Sequence, residues 1–437
     1  MTRPAFDKST MPSRHVTEGT FAAPQRAFYY AMGLEADDIH RPLVGVVGAW
    51  DGASAASDAP LLVAEAVESG VTAGGATPRR FATVADGSAR SLISRELVAD
   101  TVELTVRGHS YDAIVGVGAS WPAIAGLMMV ACRLDVPAVI VPLASAALGS
   151  HDDDFALAAA ATAVGLAPAT EAGLSTAGML ESGRRAGRRV AELLRAGGSA
   201  RSLVTAESLH DGAVALAGAG AQPDLAAHLV AVAAECGIGL DLEDLVGAMR
   251  TIRPDIGWVS GTLAPDGAPV AGGASRIRAA AQVFDDEAAA CGWLARHGWP
   301  SGVAVVVRFQ GPRGGPGLRS LDDLAAAAAT AAPSERLLVT DGRVPAIPGV
   351  TAVSAAGPEA ADGGPLALLR DGDALELDRS AGRIDVLQDV SGRAAVRAAP
   401  RELPRSWSKY ARMVGPVRNG AVTHPGAGAE VIRYADF

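Results

Sequence analysis

The sequence predicts an α/β protein of two domains: a doubly wound parallel sheet, then a mostly-β, barrel-like half. Three observations carry that expectation. The chain has 437 residues, 49% of them hydrophobic, which is enough to bury a large core and more chain than one core usually serves. Its first part alternates short apolar β-rich runs with helical stretches, the pattern of a parallel sheet covered on both faces. From about Thr262 the texture changes to short β-like runs broken by Asp-Gly, Gly-Gly and Pro-Gly turns.

Taken in order, the strand candidates of the first part are Leu43–Val47, Ala113–Val117 and Ala138–Val141. Between them, Ala59–Ala73 and Ser94–Arg107 carry apolar residues at helical spacing, and Pro122–Leu134 reads as a buried helix. Each strand ends in a loop marked by glycine or proline, where open α/β sheets place their ligands. Gly183–Leu194, with four arginines, reads as an amphipathic helix with a solvated basic face. The second part runs through TLAPDGAPV, GVAVVVRFQGPRGGPG, RLLVTDGR and GPLALLRDGDALELD, with a helix over Leu324–Ala332. Trp407 to Arg412 is an aromatic and basic segment expected to dock on another surface. The domains are therefore 1–255, 256–400 and a tail, 401–437, that packs on the N-terminal domain or on a dimer partner.

Composition excludes several function classes. A net charge of −10 with 20% charged residues leaves no basic excess for a phosphate backbone, so nucleic acid is not an expected partner. No apolar run reaches the roughly 20 residues of a membrane span, and MTRPAFDKST lacks the apolar core of a secretory signal, so no membrane is expected and the location is read as cytoplasmic. Cys132, Cys236 and Cys291 stand far apart without a CxxC pair and read as small buried hydrophobes. Lys8 and Lys409 are the only lysines and lie near the chain ends, which disfavours Schiff-base and carbamylated-lysine chemistry.

Several stretches, in order, resemble the dihydroxy-acid / 6-phosphogluconate dehydratase family. They include MPSRHVTEG, RAFYYAMGLEADDIHRPLVGVVGAW, GVTAGGATPRRFATVADG, SRELVADTVELTVRGHSYDAIVGV and GLMMVACRLDVPAVIV. The later ones are AGRRVAELL, HLVAVAAECGIGLDLEDL, GTLAPDGAPV, FQGPRGGPG, LLVTDGR, GPEAADGGPLALLRDGDALELD and SWSKYARMV. The resemblance covers about residues 11–425. It implies a homodimer with the active site between an N-terminal α/β domain and a C-terminal barrel-like domain, and substrates that are dihydroxy or sugar acids. It also implies a three-cysteine iron–sulfur cluster, a magnesium ion held by carboxylates and a modified lysine, and a serine base.

Position by position, the chemistry that the resemblance implies is missing. Ala56 stands where the first cluster cysteine is expected. Ser120, Trp121 and Pro122 replace the second cysteine with its following aspartate and lysine. The segment of the third cysteine is deleted between His151 and Ala169, and another deletion follows Asp86. The metal-binding glutamate after GGPG becomes Ser320, and the serine base becomes Pro345. Asp86 keeps one carboxylate, too few for an octahedral magnesium site. Neither the 2Fe–2S cluster nor magnesium is therefore expected, and no other cofactor is.

Within the implied crevice, Asp86 and Asp341 sit in Asp-Gly turns, which have a purely structural reading. The functional reading makes one of them a general base, while Arg343, with Arg90, Arg79 or Arg80, clamps a substrate carboxylate or phosphate and Ser120 contacts it. The run His151-Asp152-Asp153-Asp154 is read as a helix cap, not a metal cluster. His228, on an apolar helix face, is read as a core histidine. Two functions stay open: a cluster-free enzyme on a small hydroxy, keto or sugar acid working by proton transfer, and a catalytically silent homologue acting as a binding or partner subunit.

Overall fold

The computed structural model describes residues 6–49, 58–84, 91–144, 150–169, 175–329, 335–399 and 402–427. Strands β1 (Leu43–Gly48), β2 (Thr77–Ala82), β3 (Ala113–Gly118) and β4 (Ala138–Pro142) form a parallel sheet in the order β2-β1-β3-β4. Three of them were expected. The fourth, β2, reads TPRRFA and escapes an apolar criterion because it is an edge strand. Its arginines find partners there: Arg79 lies over the Tyr29 ring, and Arg80 pairs with Glu65 and Glu68.

Alternate strand residues serve opposite faces. Val44, Val46, Val115 and Val139 pack with helices α1 (Asp58–Ala73) and α5 (Thr176–Ala196), whereas Leu43, Val47, Ile114 and Ile140 pack with α2 (Leu92–His109) and α3 (Trp121–Leu134). Both faces are thus covered, as a doubly wound sheet requires. Helix α5 lies close on α1 because glycines line the contact: a Cβ on Gly187 would collide with the Val67 carbonyl and stand 2.6 Å from the Val71 nitrogen. Its arginines Arg184, Arg188 and Arg189 stay exposed and pair with Glu181 and Glu192. Helices α4 (Asp152–Ala163), α6 (Ala206–Gly218), α7 (Ala227–Cys236) and α8 (Leu242–Arg250) thicken the layer on the α3 side.

The second domain is one sheet of eight strands among the described residues: β5 (Ile256–Val259), β6 (Ala268–Ala271), β7 (Arg276–Phe284), β8 (Val303–Val307), β9 (Arg336–Thr340), β10 (Val350–Val353), β11 (Ala374–Asp378) and β12 (Arg383–Val386). Its order is β12-β11-β7-β8-β9-β10-β6-β5, and a bridge between Ser260 and Arg383 joins the two edges into a nearly closed barrel. The Ser260 N–H donates to the Gly382 carbonyl at 2.9 Å, and the Ile384 N–H donates to the Ser260 carbonyl at 3.0 Å. Val259, Val306, Val339, Leu375 and Ile384 fill the interior. Val305, Val307 and Leu338 point outward beneath α9 (Glu287–His297) and α10 (Asp322–Ala329). These helices are the crossovers that the parallel neighbours β7, β8 and β9 need, so this half is less purely β than its turns suggest.

After helix α11 (Arg405–Met413) the chain returns to the first domain, where Tyr410, Val414, Val417 and Val422 join its core. Among the described residues no helix is long and apolar enough to cross a membrane.

Packing of α1 on α5 predicts opposite outcomes for two glycine substitutions. Gly187→Ala should cost about 1–3 kcal/mol by overpacking. Gly247→Ala, in helix α8 with open space around its Cβ position, should be neutral or stabilise by up to about 1 kcal/mol. Chemical denaturation of both variants checks the pair.

Candidate functional site in the domain junction

The C-terminal ends of β1 to β4 face the barrel domain, and two barrel loops close on them. The first is the glycine-rich stretch after β8, held by two buried carboxylates. Asp341 accepts the backbone N–H groups of Phe309, Gln310 and Ala360 at 3.1, 2.8 and 2.9 Å. Glu359 accepts those of Arg313 and Gly314 at 3.0–3.2 Å. Only glycine fits around these anchors: a Cβ on Gly314 would stand 2.9 Å from the Phe309 Cα, and one on Gly315 2.9 Å from the Gln310 Cα. The loop ends on the other domain, where the Gly317 carbonyl accepts the Leu92 N–H at 3.2 Å, at the start of α2. Burial pushes the Asp341 carboxyl up against its three donors, and burial likewise pushes Glu359 up to about 7.

The second loop carries Arg343, whose buried side chain crosses into the N-terminal domain. Its Nε donates to Asp224 Oδ2 at 2.6 Å and its Nη2 to Asp153 Oδ2 at 2.9 Å. Burial opposes the charge, but the two aspartates outweigh it and hold the guanidinium protonated. Burial also raises the carboxyl of Asp224, against the pull of Arg343. The guanidinium lies 5.6 Å above the Trp121 ring, and that indole packs on His228 at 4.7 Å. Behind it, fully buried Arg95 donates to His228 Nδ1 at 3.3 Å, to Glu96 at 2.7 Å, and to the carbonyls of Gly420 and Ala421 at 2.9 and 2.8 Å. Burial, with Arg95 and Arg343 nearby, keeps His228 neutral, as a core histidine.

The acidic run at residues 151–154 starts α4. Asp154 accepts the His151 N–H at 2.7 Å and also the Trp121 N–H at 2.6 Å, so one carboxylate serves the starts of two helices. Asp153 goes to Arg343. Among the described residues no group of three His, Cys, Asp or Glu is placed to hold a metal ion.

Set against the sequence-based expectations, Ser120 lies half-buried at the N-cap of α3, and its hydroxyl makes no cap hydrogen bond. Asp341 and Arg343 do meet at the junction, yet both are held by protein groups: the carboxylate carries loop backbone and the guanidinium joins the domains. Asp86, Arg90 and Ala56 lie outside the described residues. Asp153, Asp224, Arg95 and Glu359 were missed, and only the motif GPEAADGG hinted at the last. The three cysteines are elsewhere: Cys132 is twelve residues along α3 from Ser120, roughly 18 Å, Cys236 ends α7, and Cys291 is in α9. Three thiolates cannot converge at the strand ends, so this donor set does not fit a cysteine-held cluster.

Comparison with known proteins now gives the frame its place. Residues 41–172 match the model of the dihydroxy-acid/6-phosphogluconate dehydratase N-terminal domain, and residues 250–421 that of its C-terminal domain. The chain belongs to this dehydratase family. It is 32% identical to dihydroxy-acid dehydratase 2 of Bradyrhizobium diazoefficiens, over 98% of this chain and 99% of that protein. It is 31% identical to the dihydroxy-acid dehydratase of Dinoroseobacter shibae, over the full length of both. The latter alignment spans 578 positions against 437 residues here, so the relative carries internal segments with no counterpart in this dehydratase-family chain.

Two outcomes follow from the junction. Arg343→Met strands two carboxylates, one fully buried, and should destabilise the protein by about 3–5 kcal/mol in chemical denaturation. Glu359 keeps its proton up to about 7 when folded, against an ordinary value of 4.5. Its contribution is therefore present below the lower value and lost as pH rises through the upper one, by about 3 kcal/mol in all. Glu359→Gln should flatten stability against pH in that window, as thermal melts across it would show.

Proposed function

We propose that this dehydratase-family protein works without the iron–sulfur cluster and without magnesium. It takes a small hydroxy, keto or sugar acid into the crevice at the strand ends and transforms it by proton transfer, as an elimination, isomerisation or cyclisation. The observation that carries this reading is Trp121. Where the resemblance calls for a metal-binding carboxylate there is Trp121, its buried indole packed against Arg343 and His228 and its backbone N–H donated to Asp154. That position has been absorbed into the fold.

In this reading Asp86 is the base, Arg90 takes the substrate carboxylate, and the Ser120 hydroxyl orients a substrate oxygen. Asp341 and Arg343 hold the wall against which the substrate lies. The protein acts as a homodimer, as the family resemblance implies. A second reading, a catalytically silent binding or partner subunit, is favoured by one observation: Asp341 and Arg343 are both engaged by protein groups.

Purified protein should be colourless and free of stoichiometric iron and sulfide, and should sediment as a dimer. On a panel of hydroxy and sugar acids at least one should raise the melting temperature and turn over. Asp86→Asn should lower kcat by about 100-fold or more, while Arg90→Gln should mainly raise KM. A brown, iron- and sulfide-bearing preparation overturns the cluster-free reading. Binding without turnover, unchanged by Asp86→Asn, decides for the silent subunit.

A further inference from the structure

At the opposite end of α3 from Ser120, the flank of the N-terminal domain holds a cavity of about 330 Å3 between α2, the ends of α3 and α7, and the segment from Met413 to Ala427. Three guanidiniums, those of Arg107, Arg133 and Arg201, meet three carboxylates there, Asp100, Glu103 and Glu235, with His424 beside them. Arg133 is engaged by all three acids, at 2.9, 2.9 and 2.7 Å. The other two arginines are not. Arg107 gives its Nε to Glu103 and Arg201 gives its Nε to the Cys132 carbonyl, each at 2.8 Å, and among the described residues their terminal nitrogens donate to nothing.

A planar guanidinium whose terminal nitrogens are unengaged at a cavity wall suits bidentate binding of a carboxylate. Beside them, His424 has its Nε2 3.0 Å from Glu235 Oε1 and 3.2 Å from Arg133 Nη2, and its Nδ1 accepts the Gly426 N–H at 3.0 Å; Glu235, with Glu96 farther off, raises the ring's titration above the ordinary 6.5 against burial and Arg133. A second cavity of about 490 Å3 shares Met413, Thr423 and His424 with the first, and one part of its wall is the apolar group Val230, Ala234, Ile238, Leu240 and Val422, with Asn419 also in the lining. An apolar wall thus adjoins the arginine cluster.

We propose that this double cavity is a second ligand site, remote from the crevice, for an alkyl carboxylate: its head group takes the terminal nitrogens of Arg107 and Arg201, and its chain lies against Ile238 and Leu240.

Octanoate and 1-octanol are suitable probes, followed by isothermal titration calorimetry on the full chain. Octanoate should bind and octanol bind much more weakly. The double variant R107Q/R201Q should weaken octanoate by about tenfold or more, with the unliganded melting temperature reporting its folding. Leu240→Asp, which leaves the arginines in place and sets a charge against the tail, should also abolish binding and serves if the double variant does not fold. Arg90→Gln, which the proposed function assigns to the crevice, should leave octanoate unaffected. Equal binding of octanol, unchanged affinity in the folded arginine variant, or loss of binding in Arg90→Gln would each overturn the proposal.

Discussion

One guanidinium, that of Arg343, links the two domains beside the ends of the parallel strands. Arg343 comes from the barrel, but both of its acceptors, Asp153 and Asp224, belong to the N-terminal domain, and Asp224 is buried. A buried ion pair is seldom a large net source of stability, because desolvation of the charges offsets their attraction. What it provides is position, since an arginine with two fixed acceptors and an indole beneath it has little freedom. Contacts continue from it through Trp121 and His228 to Arg95, which grips the carbonyls of Gly420 and Ala421. Barrel, strand-end helix and C-terminal segment are thereby set relative to one another by connected contacts, in which the neutral state of His228 avoids a third adjacent cation.

The motifs that resemble the dehydratases divide along the same line. FQGPRGGPG and TDGR persist as backbone architecture: Asp341 and Glu359 accept loop N–H groups, and the glycines stand where a Cβ would strike the neighbouring turn. Where the resemblance implies side chains facing a metal or a substrate, this sequence has Ser120, Trp121 and Pro345. Backbone anchors are required by the fold whatever the chemistry, because an unsatisfied buried N–H costs about as much as a lost hydrogen bond. Ligand side chains carry no such obligation, so they can vanish while the frame stays. A motif can therefore testify to fold and say nothing of activity.

The same division explains what was legible in the sequence. Short continuous apolar runs revealed β1, β3 and β4, buried at every position, and helical periodicity revealed α1 to α3. Strand β2 was hidden by Arg79 and Arg80, whose partners, the Tyr29 ring and two glutamates, come from other elements. The aspartates at 152–154 were legible as a helix start, but that Asp154 also caps α3 depends on a contact 33 residues away. Asp224 and Arg95 gave no local signal, since an isolated charged residue is ordinarily solvated. Arg343 was singled out by its place beside an Asp-Gly turn, but nothing local could reveal that its acceptors sit in another domain.

Under the proposed cluster-free reading the frame poses a packing problem as well as a chemical one, because a void or unsatisfied polar groups at the junction would be costly. The indole of Trp121 takes volume beside the strand ends, and Arg343 meets Asp153 and Asp224 there. The solution has a consequence for any reaction at this place. Groups that hold the junction together cannot change protonation during turnover without loosening it, so a reacting acid or base must be one that the frame does not use. Asp341, which carries loop backbone, does not satisfy that condition, whereas the Ser120 hydroxyl makes no cap hydrogen bond. That favours the ends of the parallel strands, with the barrel as a wall, for the proposed chemistry.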